Sequence, residues 1–159
     1  MKESYENMRL KEIREINKHI QVTTSKLLGV ARGTYASWEI EQDIIPIKRL
    51  NDFCNLYDIS IDYAMNLTDI LKYPNSKPEI NINKSKMRLR AVRKEHKHTQ
   101  DYLGKKLDID RSLLSKYETG ENIISTIFLT EYAKMYHISC DYLLGKIDEK
   151  IELKVKLKN

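Results

Sequence analysis

The chain has 159 residues and a mass of 18.8 kDa, which is room for one ordinary domain or two very small ones and not for a large catalytic fold. Its net charge is +5 and its pI is near 9.0, with 41% hydrophobic and 32% charged residues, so it can bury a core and is not disordered by composition. No apolar run approaches the roughly 18 to 20 residues that cross a bilayer, and the N-terminal residues lack the apolar segment of a secretory signal. We therefore expect a cytoplasmic protein without membrane contact.

Cysteine, glycine and proline usage narrows the fold class further. Cys54 and Cys140 both lie in apolar segments, far apart in the chain, which favours reduced thiols in the core over a disulfide framework or a zinc site. Five glycines and three prolines in the whole chain favour helices over a turn-rich β fold.

The sequence contains an internal repeat. At an offset of 79, residues 8–69 align with residues 87–148 without a gap, and 20 of the 62 positions are identical. This pattern indicates a duplicated domain, and two copies joined by a linker are a tandem pair rather than a solenoid. The identical pairs include Arg14 and Arg93, Gln21 and Gln100, Arg32 and Arg111, and Glu39 and Glu118.

The repeat divides the chain into four segments: a first domain over 1–69, a linker over 70–85, a second domain over 86–148 and a tail over 149–159. The two copies differ in charge. Residues 1–70 hold 9 Lys and Arg against 11 Asp and Glu, a net charge of −2, whereas residues 86–148 hold 12 against 9, a net charge of +3. Because cations that displace counterions supply most non-specific affinity for DNA, the second copy is the better electrostatic partner for nucleic acid.

The first copy carries weaker helix signals than the second. Ile20 and Ala31 stand where the second copy has the N-cap residues Thr99 and Asp110, and neither can cap a helix with its side chain. Gly33 falls inside the third predicted helix of this copy, where it costs about 1 kcal/mol relative to Ala. In the linker that follows, Pro74 and Pro78 exclude a continuous helix.

The second copy predicts five short helices. Residues 87–97 form the first, and Leu89 belongs to its apolar side. Thr99 is a suitable N-cap for the second helix, and Asp110 for the third, which ends at Gly120. Leu129, Ala133 and Tyr136, spaced by three to four residues, indicate the fourth helix. The sequence DYLL before Gly145 indicates a final short helical turn. Trp38 and Tyr117 occupy equivalent inward positions of the third helices and are expected in the core.

The tail alternates apolar and charged residues, a period that predicts a strand. The apolar members are Ile151, Leu153, Val155 and Leu157. Ile80 and Ile82 alternate in the same way inside the linker, so linker and tail could form a small β-ribbon, or two chains could form one between them. A solvated basic tail is the other interpretation, since isolated two-stranded ribbons are marginal in water.

Two short helices joined by a three- or four-residue turn, the second with a polar outer face, have the geometry that enters the major groove of DNA. The string TQDYLGKKLDIDRSLLSKYETGEN, followed by an apolar helix and ISCDYLLG, resembles the Cro/phage-repressor helix-turn-helix family, also called the XRE family. The resemblance covers both copies, about 125 of the 159 residues. It implies an all-α protein of two tandem five-helix lambda-repressor-like domains, which bind DNA with their third helices and have no enzymatic activity.

The resemblance also assigns residue roles. In the second domain Gln100 matches the glutamine that bonds phosphate and supports the recognition helix, while Arg111, Ser112 and Lys116 match the base-reading positions. Arg and Lys can bond guanine O6 and N7, and Ser can bond several base edges. Lys97 and Thr99 complete the predicted DNA surface of this domain. The weaker surface predicted for the first domain comprises Gln21, Arg32, Gly33 and Ser37.

Arg93 and Glu118 match a buried ion pair that ties helix one to helix three, and the repeat retains Arg14 together with Glu39. Removing one partner of such a pair typically costs about 3 to 5 kcal/mol.

The sequence predicts a sequence-specific regulator of transcription that binds double-stranded DNA, a repressor of the phage or mobile-element type. The alternative is a protein-interaction module in which the helix-turn-helix bundle binds another regulator. For the first domain two roles stay open, a weaker contact with a second half-site and a dimerisation or partner-binding function. A homodimer through the tail or the first domain is possible, and no catalytic residue, metal, cofactor or small-molecule ligand is expected.

Overall fold

The computed structural model describes residues 7–154 of the chain. In that part the protein consists of ten helices and contains no sheet, which confirms the predicted all-α fold. The chain divides into two compact units, the first ending at Tyr73 and the second beginning at Pro74. The helices of the first unit are α1 (Leu10–Ile16), α2 (Gln21–Leu28), α3 (Arg32–Glu39), α4 (Ile47–Tyr57) and α5 (Ile61–Ala64). Those of the second are α6 (Ile82–Glu95), α7 (Gln100–Lys106), α8 (Arg111–Thr119), α9 (Thr126–Tyr136) and α10 (Cys140–Leu143).

In the first unit, apolar side chains at helical spacing bury the inner faces of the helices. Leu50 and Phe53 of α4 are fully buried, and the ring centroid of Phe53 lies 6.4 Å from that of Tyr35 on α3. Trp38 is 5% exposed, as its inward position predicts. The N-cap residues Ile20 and Ala31 make no side-chain hydrogen bond to their helices, so α2 and α3 begin without the capping that the second unit has.

The helices of the second unit are capped as the sequence predicts. Oγ1 of Thr99 accepts a hydrogen bond from the backbone N–H of Tyr102 at 3.0 Å, and Oδ1 of Asp110 accepts one from the N–H of Ser112 at 2.9 Å. Gly120 ends α8 in the left-handed region with φ of 82°. Side-chain caps of this kind each contribute about 1 kcal/mol.

A close turn joins α7 to α8. The backbone N–H of Ile109 bonds to the carbonyl of Gly104 at 2.9 Å, and a Cβ on Gly104 would lie 3.0 Å from the carbonyl oxygen of Ile109. The absence of a side chain at Gly104 thus lets the turn approach α7. This turn at one end of α8, and the buried side chains along the rest of the helix, determine which face of α8 points to solvent.

The core of the second unit contains Leu89, Leu103, Leu114 and Leu129, all fully buried, and Tyr117 at 6% exposure. The prediction of a core position for Tyr117 is therefore confirmed. Both cysteines, Cys54 and Cys140, are buried and unpaired with each other, as their apolar surroundings in the sequence predict.

The segment predicted as a linker, residues 70–85, packs in part on each unit. The hydroxyl of the buried Tyr73 donates to Oδ2 of Asp62 at 2.7 Å within the first unit. In the second unit the N–H of Asn81 bonds to the carbonyl of Leu144 at 2.9 Å, and α6 begins at Ile82. The first helix of the second unit therefore starts five residues earlier than its predicted start at residue 87, because the side chain of Asn81 caps it.

Residues 149–154, the described part of the tail, pair with their own unit and not with the linker, which corrects the ribbon interpretation for these residues. Ile82 is helical, whereas Glu152 forms an antiparallel bridge with Ile138, just before α10. The N–H of Leu153 bonds to the carbonyl of His137 at 2.8 Å, and Leu153 is 4% exposed. Burial of the Leu153 side chain against its own unit stabilises this arrangement. An isolated two-stranded ribbon in water would lack that stabilisation. Val155 and Leu157 lie outside the described residues.

Candidate nucleic-acid interface

A buried ion pair fixes α8 from its inner side. Nε of Arg93 donates to Oε2 of Glu118 at 2.8 Å and Nη2 donates to Oε1 at 2.8 Å, with the side chains 9% and 3% exposed. Nη1 of the same arginine donates to the carbonyl of His98 at 2.8 Å. The hydrogen bonds to the Glu118 carboxylate raise the pKa of Arg93, although burial acts in the opposite direction. The pair joins α6 to the end of α8 and to the turn before α7.

Gln100 extends this network to α7. Its Nε2 donates to Oε1 of Glu118 at 3.3 Å, and its side chain is half-buried. The carboxylate therefore receives hydrogen bonds from both α6 and α7. Gln100 therefore contacts the residue that fixes α8, and the phosphate contact that the resemblance implies for it stays a prediction.

The outer face of α8 carries the predicted base-reading residues. Arg111, Ser112 and Lys116 are exposed, whereas Leu114 and Tyr117 on the opposite side are buried. Residues 112 and 116 are separated by about one helical turn and therefore share a face. The hydroxyl of Ser112 and the ammonium of Lys116 thus share one side of a helix whose other side is buried in the core, and Arg111 is exposed at the first residue of the same helix.

Acidic groups accompany these cations, and the sequence did not predict that Asp101, at the start of α7, pairs with one of them. Nη1 of Arg111 lies 3.7 Å from Oδ2 of Asp101, in an exposed pair. Oγ of Ser112 donates to Oδ1 of Asp110 at 2.9 Å. The backbone and hydroxyl hydrogen bonds from Ser112 lower the pKa of Asp110. Asp101 is the second residue of α7 and Arg111 the first of α8, so the pair joins the starts of these two helices.

Lys97 and Thr99 stand between α6 and α7. Lys97 is exposed and has a left-handed backbone with φ of 57°, and Thr99 is exposed as the cap of α7. Both therefore lie in the connection that leads to Gln100. A phosphate bound near Gln100 would therefore lie close to the connection that carries the Lys97 ammonium.

Not every cation of the second unit is available to a ligand. Nη1 of Arg88 donates to the carbonyls of Tyr142 and Ile147 at 2.6 and 2.8 Å, and its guanidinium lies 4.0 Å from the centroid of the Tyr142 ring. Arg9 makes the matching contact with Tyr63 in the first unit, at 4.2 Å. The repeat identifies both pairs as identical positions, and the structure gives them a role in packing.

The first unit repeats the inner network. Nε of Arg14 donates to Oε2 of Glu39 at 2.7 Å and Nη2 donates to Oε1 at 3.0 Å, while Nε2 of Gln21 donates to Oε1 at 3.1 Å. Burial alone would raise the pKa of Glu39, but hydrogen bonds, chiefly from Arg14 and also from Gln21, hold that pKa below its ordinary value.

The outer face of α3 differs from that of α8. Arg32 is exposed like its counterpart Arg111. Gly33 presents no side chain, and nothing lies within 4 Å of where its Cβ would be. Oγ of Ser37 donates to the carbonyl of Thr34 at 2.7 Å, in place of the lysine that α8 carries. Of the three reading positions, only one therefore presents a cation.

Comparison with known proteins agrees with this geometry. Residues 89–143, which lie in the second unit, match the helix-turn-helix family. The matched segment contains α7 and α8 and is about a third of the chain, so the second unit is similar to helix-turn-helix domains. A relative in Bacillus subtilis (strain 168), named "Uncharacterized HTH-type transcriptional regulator YobD", is 33% identical over 61 residues, which are 38% of this chain and 54% of the relative. The chain thus spans about half the length of that relative. No solved structure matches the chain.

Over residues 7–154, no helix combines the length and apolar character needed to cross a bilayer. Within the same residues, no group of three or more His, Cys, Asp or Glu side chains is placed to hold a metal ion.

Proposed function

We propose that this protein is a sequence-specific regulator of transcription that binds double-stranded DNA and reads the major groove with α8. The observation that carries the proposal is the arrangement of α8. Its outer face presents Arg111, Ser112 and Lys116, while its inner face is held by the buried pair of Arg93 and Glu118. A rigid helix with two cations on its outer face has the chemistry for base edges in the major groove.

Each group on this surface has a distinct role in the proposal. Arg111 and Lys116 donate to O6 and N7 of guanine, and the hydroxyl of Ser112 contacts a base edge. Gln100 and Lys97 contact phosphate and set the register of the helix on the duplex, together with the loop that holds Thr99. Because Gln100 is bonded to Glu118, a phosphate contact at Gln100 is transmitted to the position of α8.

The charge distribution supports DNA as the partner. Residues 86–148 carry a net charge of +3 and residues 1–70 a net charge of −2. Counterion release therefore favours contact through the second unit. Asp101 and Asp110 reduce the attraction near α8, so we expect moderate rather than extreme affinity for non-specific duplex.

Occupation of a promoter by the bound protein would exclude RNA polymerase by steric overlap. Repression of a phage or mobile-element type is the form of regulation that the family resemblance favours. We place the DNA contact in the second unit. The weaker DNA contact of Gln21, Arg32, Gly33 and Ser37 in the first unit stays a prediction.

The salt dependence of duplex binding tests the proposal. The affinity of the full chain for a fluorescent duplex is expected to fall linearly on a log-log plot against salt, as phosphate contacts are lost. Lys97→Ala should reduce the magnitude of the slope by about one. Lys72→Ala is the matched control, because this lysine pairs with Asp58 in the first unit. No binding to duplex at low salt, or equal effects of both variants, would contradict the proposal.

The alternative function, a protein-interaction module, is favoured by one observation in the first unit. Exposed apolar side chains occupy positions where the second unit has polar ones. This observation concerns the first unit and leaves the DNA-reading role of α8 unchanged.

A further inference from the structure

We propose that the first unit carries a self-association surface that docks onto the same surface of a second copy of this chain. This surface, the apolar face, consists of Ile16, Ile20, Val22 and Ile40. The proposal goes beyond DNA binding and does not require it.

The members of the apolar face are strongly exposed. Ile16 and Ile20 are each 66% exposed, Ile40 is 72% exposed and Val22 is 36% exposed. Single exposed apolar residues are ordinary on protein surfaces, but a cluster of β-branched side chains in water is typical of an interaction site. These side chains contribute little to the core of their own unit.

The inner network of the first unit brings these residues together. Hydrogen bonds among Arg14, Gln21 and Glu39 join the end of α1, the start of α2 and the end of α3. Each member of the apolar face lies within two residues of one of these three. The four members of the apolar face therefore come from the parts of α1, α2 and α3, and of their connections, that this network joins.

The second unit shows that the fold does not need apolar residues there. It has the same network and the same order of helices. At the positions that match the apolar face, however, it carries Glu95, Thr99, Asp101 and Thr119. Since polar residues satisfy the fold at all four places, the isoleucines and the valine of the first unit point to a separate contact.

The same comparison argues against DNA as the occupant of this face. Thr99 belongs to the predicted DNA surface of the second unit, and Ile20 replaces it with a side chain that can neither donate nor accept a hydrogen bond. The net charge of −2 over residues 1–70 also opposes contact with phosphate. A protein surface is the partner that matches an apolar face.

The charges beside the apolar face favour a second copy over a partner of one charge sign. Lys18, which is exposed, lies between Ile16 and Ile20 in the chain. The exposed carboxylate of Glu15, which lies 3.9 Å from both Lys11 and Arg14, precedes Ile16. Glu41, whose Oε1 accepts a hydrogen bond from the N–H of Met8, follows Ile40. A twofold axis places a patch against itself, so a border with both signs lets the lysine of one copy meet an acidic group of the other. A uniformly basic partner would place like charge against Lys18, and a uniformly acidic partner would place like charge against Glu15 and Glu41.

A dimer formed in this way would present two copies of α8. Helix-turn-helix dimers read two half-sites about 34 to 36 Å apart. This consequence rests on the proposed function, whereas the association itself does not.

Sedimentation equilibrium of the full chain, measured without DNA over micromolar concentrations, tests the proposal. We expect a reversible equilibrium between monomer and dimer. In the variant Ile16→Glu, Ile20→Thr, Ile40→Thr, each residue is replaced by the one that the second unit has at the matching position. The dissociation constant of the dimer should rise about tenfold or more.

The control is Ile127→Lys. Ile127 is an exposed apolar residue of the second unit, 55% exposed, and its match in the first unit is Lys48. This variant should dimerise like the unchanged chain. Loss of the fold is separated by thermal unfolding, because Ile20→Thr supplies an N-cap that α2 lacks and is not expected to lower the melting temperature.

Several outcomes would overturn the proposal. A chain that stays monomeric throughout, a triple variant that dimerises unchanged, or assemblies larger than a dimer would each do so. A dimer that dissociates when the chain ends at Lys154, while the triple variant still dimerises, would place the contact in the tail instead. Sedimentation is measured without DNA, so the two proposals can fail separately. A protein that dimerises but binds no duplex supports this inference and refutes the proposed function. A protein that binds duplex but stays monomeric supports the proposed function and refutes this inference.

Discussion

Arg93 and Glu118 join α6 to α8 through two hydrogen bonds of 2.8 Å, and the same carboxylate also receives Gln100 of α7. One buried acid thus orients α8 relative to both helices that precede it. Arg14 and Glu39 make the matching pair in the first unit. The function proposed for α8 depends on this rigidity, since a base-reading helix must hold its side chains at fixed positions.

Replacing Glu118 should destabilise the second unit. We expect Glu118→Gln to lower the free energy of unfolding by about 3 to 5 kcal/mol, because Arg93 is left buried without its counter-charge. Urea denaturation followed by far-UV circular dichroism measures the loss. The fluorescence of Trp38, the single tryptophan of the chain and buried in the first unit, gives an internal reference that should not change. Glu121→Gln, at an exposed position, is the matched control. A loss as small as that of the control would show that the pair does not hold α8.

The first unit should lose stability in acid. The pKa of Glu39 lies below its ordinary value of 4.5 in the folded chain, so the carboxylate stabilises the fold above the pKa of the unfolded chain. That contribution is lost as the pH falls through the lowered pKa. The difference in unfolding free energy between the unchanged chain and Glu39→Gln should therefore be largest near pH 7 and shrink below about pH 4. Denaturation followed by Trp38 fluorescence measures it. A difference that is constant from pH 7 to pH 3 would rule out this role, and Glu12→Gln, exposed on α1, serves as control.

Two glycines should respond in opposite directions to alanine. Gly33 lies inside α3 with open space around its missing Cβ, so Gly33→Ala should stabilise the first unit by about 0.5 to 1 kcal/mol. Gly145 has φ of +75°, and a Cβ there would lie 2.7 Å from Cβ of Asn81. Gly145→Ala should therefore destabilise the second unit by more than about 1 kcal/mol. Thermal unfolding of the two variants checks both signs, and a stabilising effect at Gly145 would contradict the described backbone.

Much of the fold follows from the sequence because local signals and the repeat agree. Thr99, Asp110 and Gly120 bound their helices as capping chemistry predicts. The packing of the linker could not be predicted from the sequence. Pro74 and Pro78 indicate that no helix runs through it, but they do not show that Tyr73 bonds to the first unit and Asn81 to the second. Alternation in the tail predicts an extended segment but not its partner, which tertiary contact decides.

The candidate site was predictable to a similar extent. Polar residues on one face of α8 follow from helical spacing. The pair of Arg111 and Asp101 could not be foreseen, because it joins exposed side chains of two different helices. The apolar face became visible only when exposure was known at positions that the repeat aligns. A sequence alone does not distinguish an exposed isoleucine from a buried one.

Base reading and phosphate contact should separate by mutation. Arg111→Ala and Lys116→Ala should each relax base preference by about 1 to 3 kcal/mol at the contacted pair, whereas Lys97→Ala should weaken all sequences similarly. Binding to a preferred duplex and to its single-base-pair variants measures the difference. Equal losses on every duplex for all three variants would contradict the assigned roles.

The most direct test of the central claim, that α8 reads base pairs, is selection of bound duplexes from a random library by the full chain. The account predicts an enriched sequence motif for the unchanged chain and loss of that motif for the double variant Arg111→Ala, Lys116→Ala. Recovery of no motif by the unchanged chain, or of the same motif by the double variant, would contradict it.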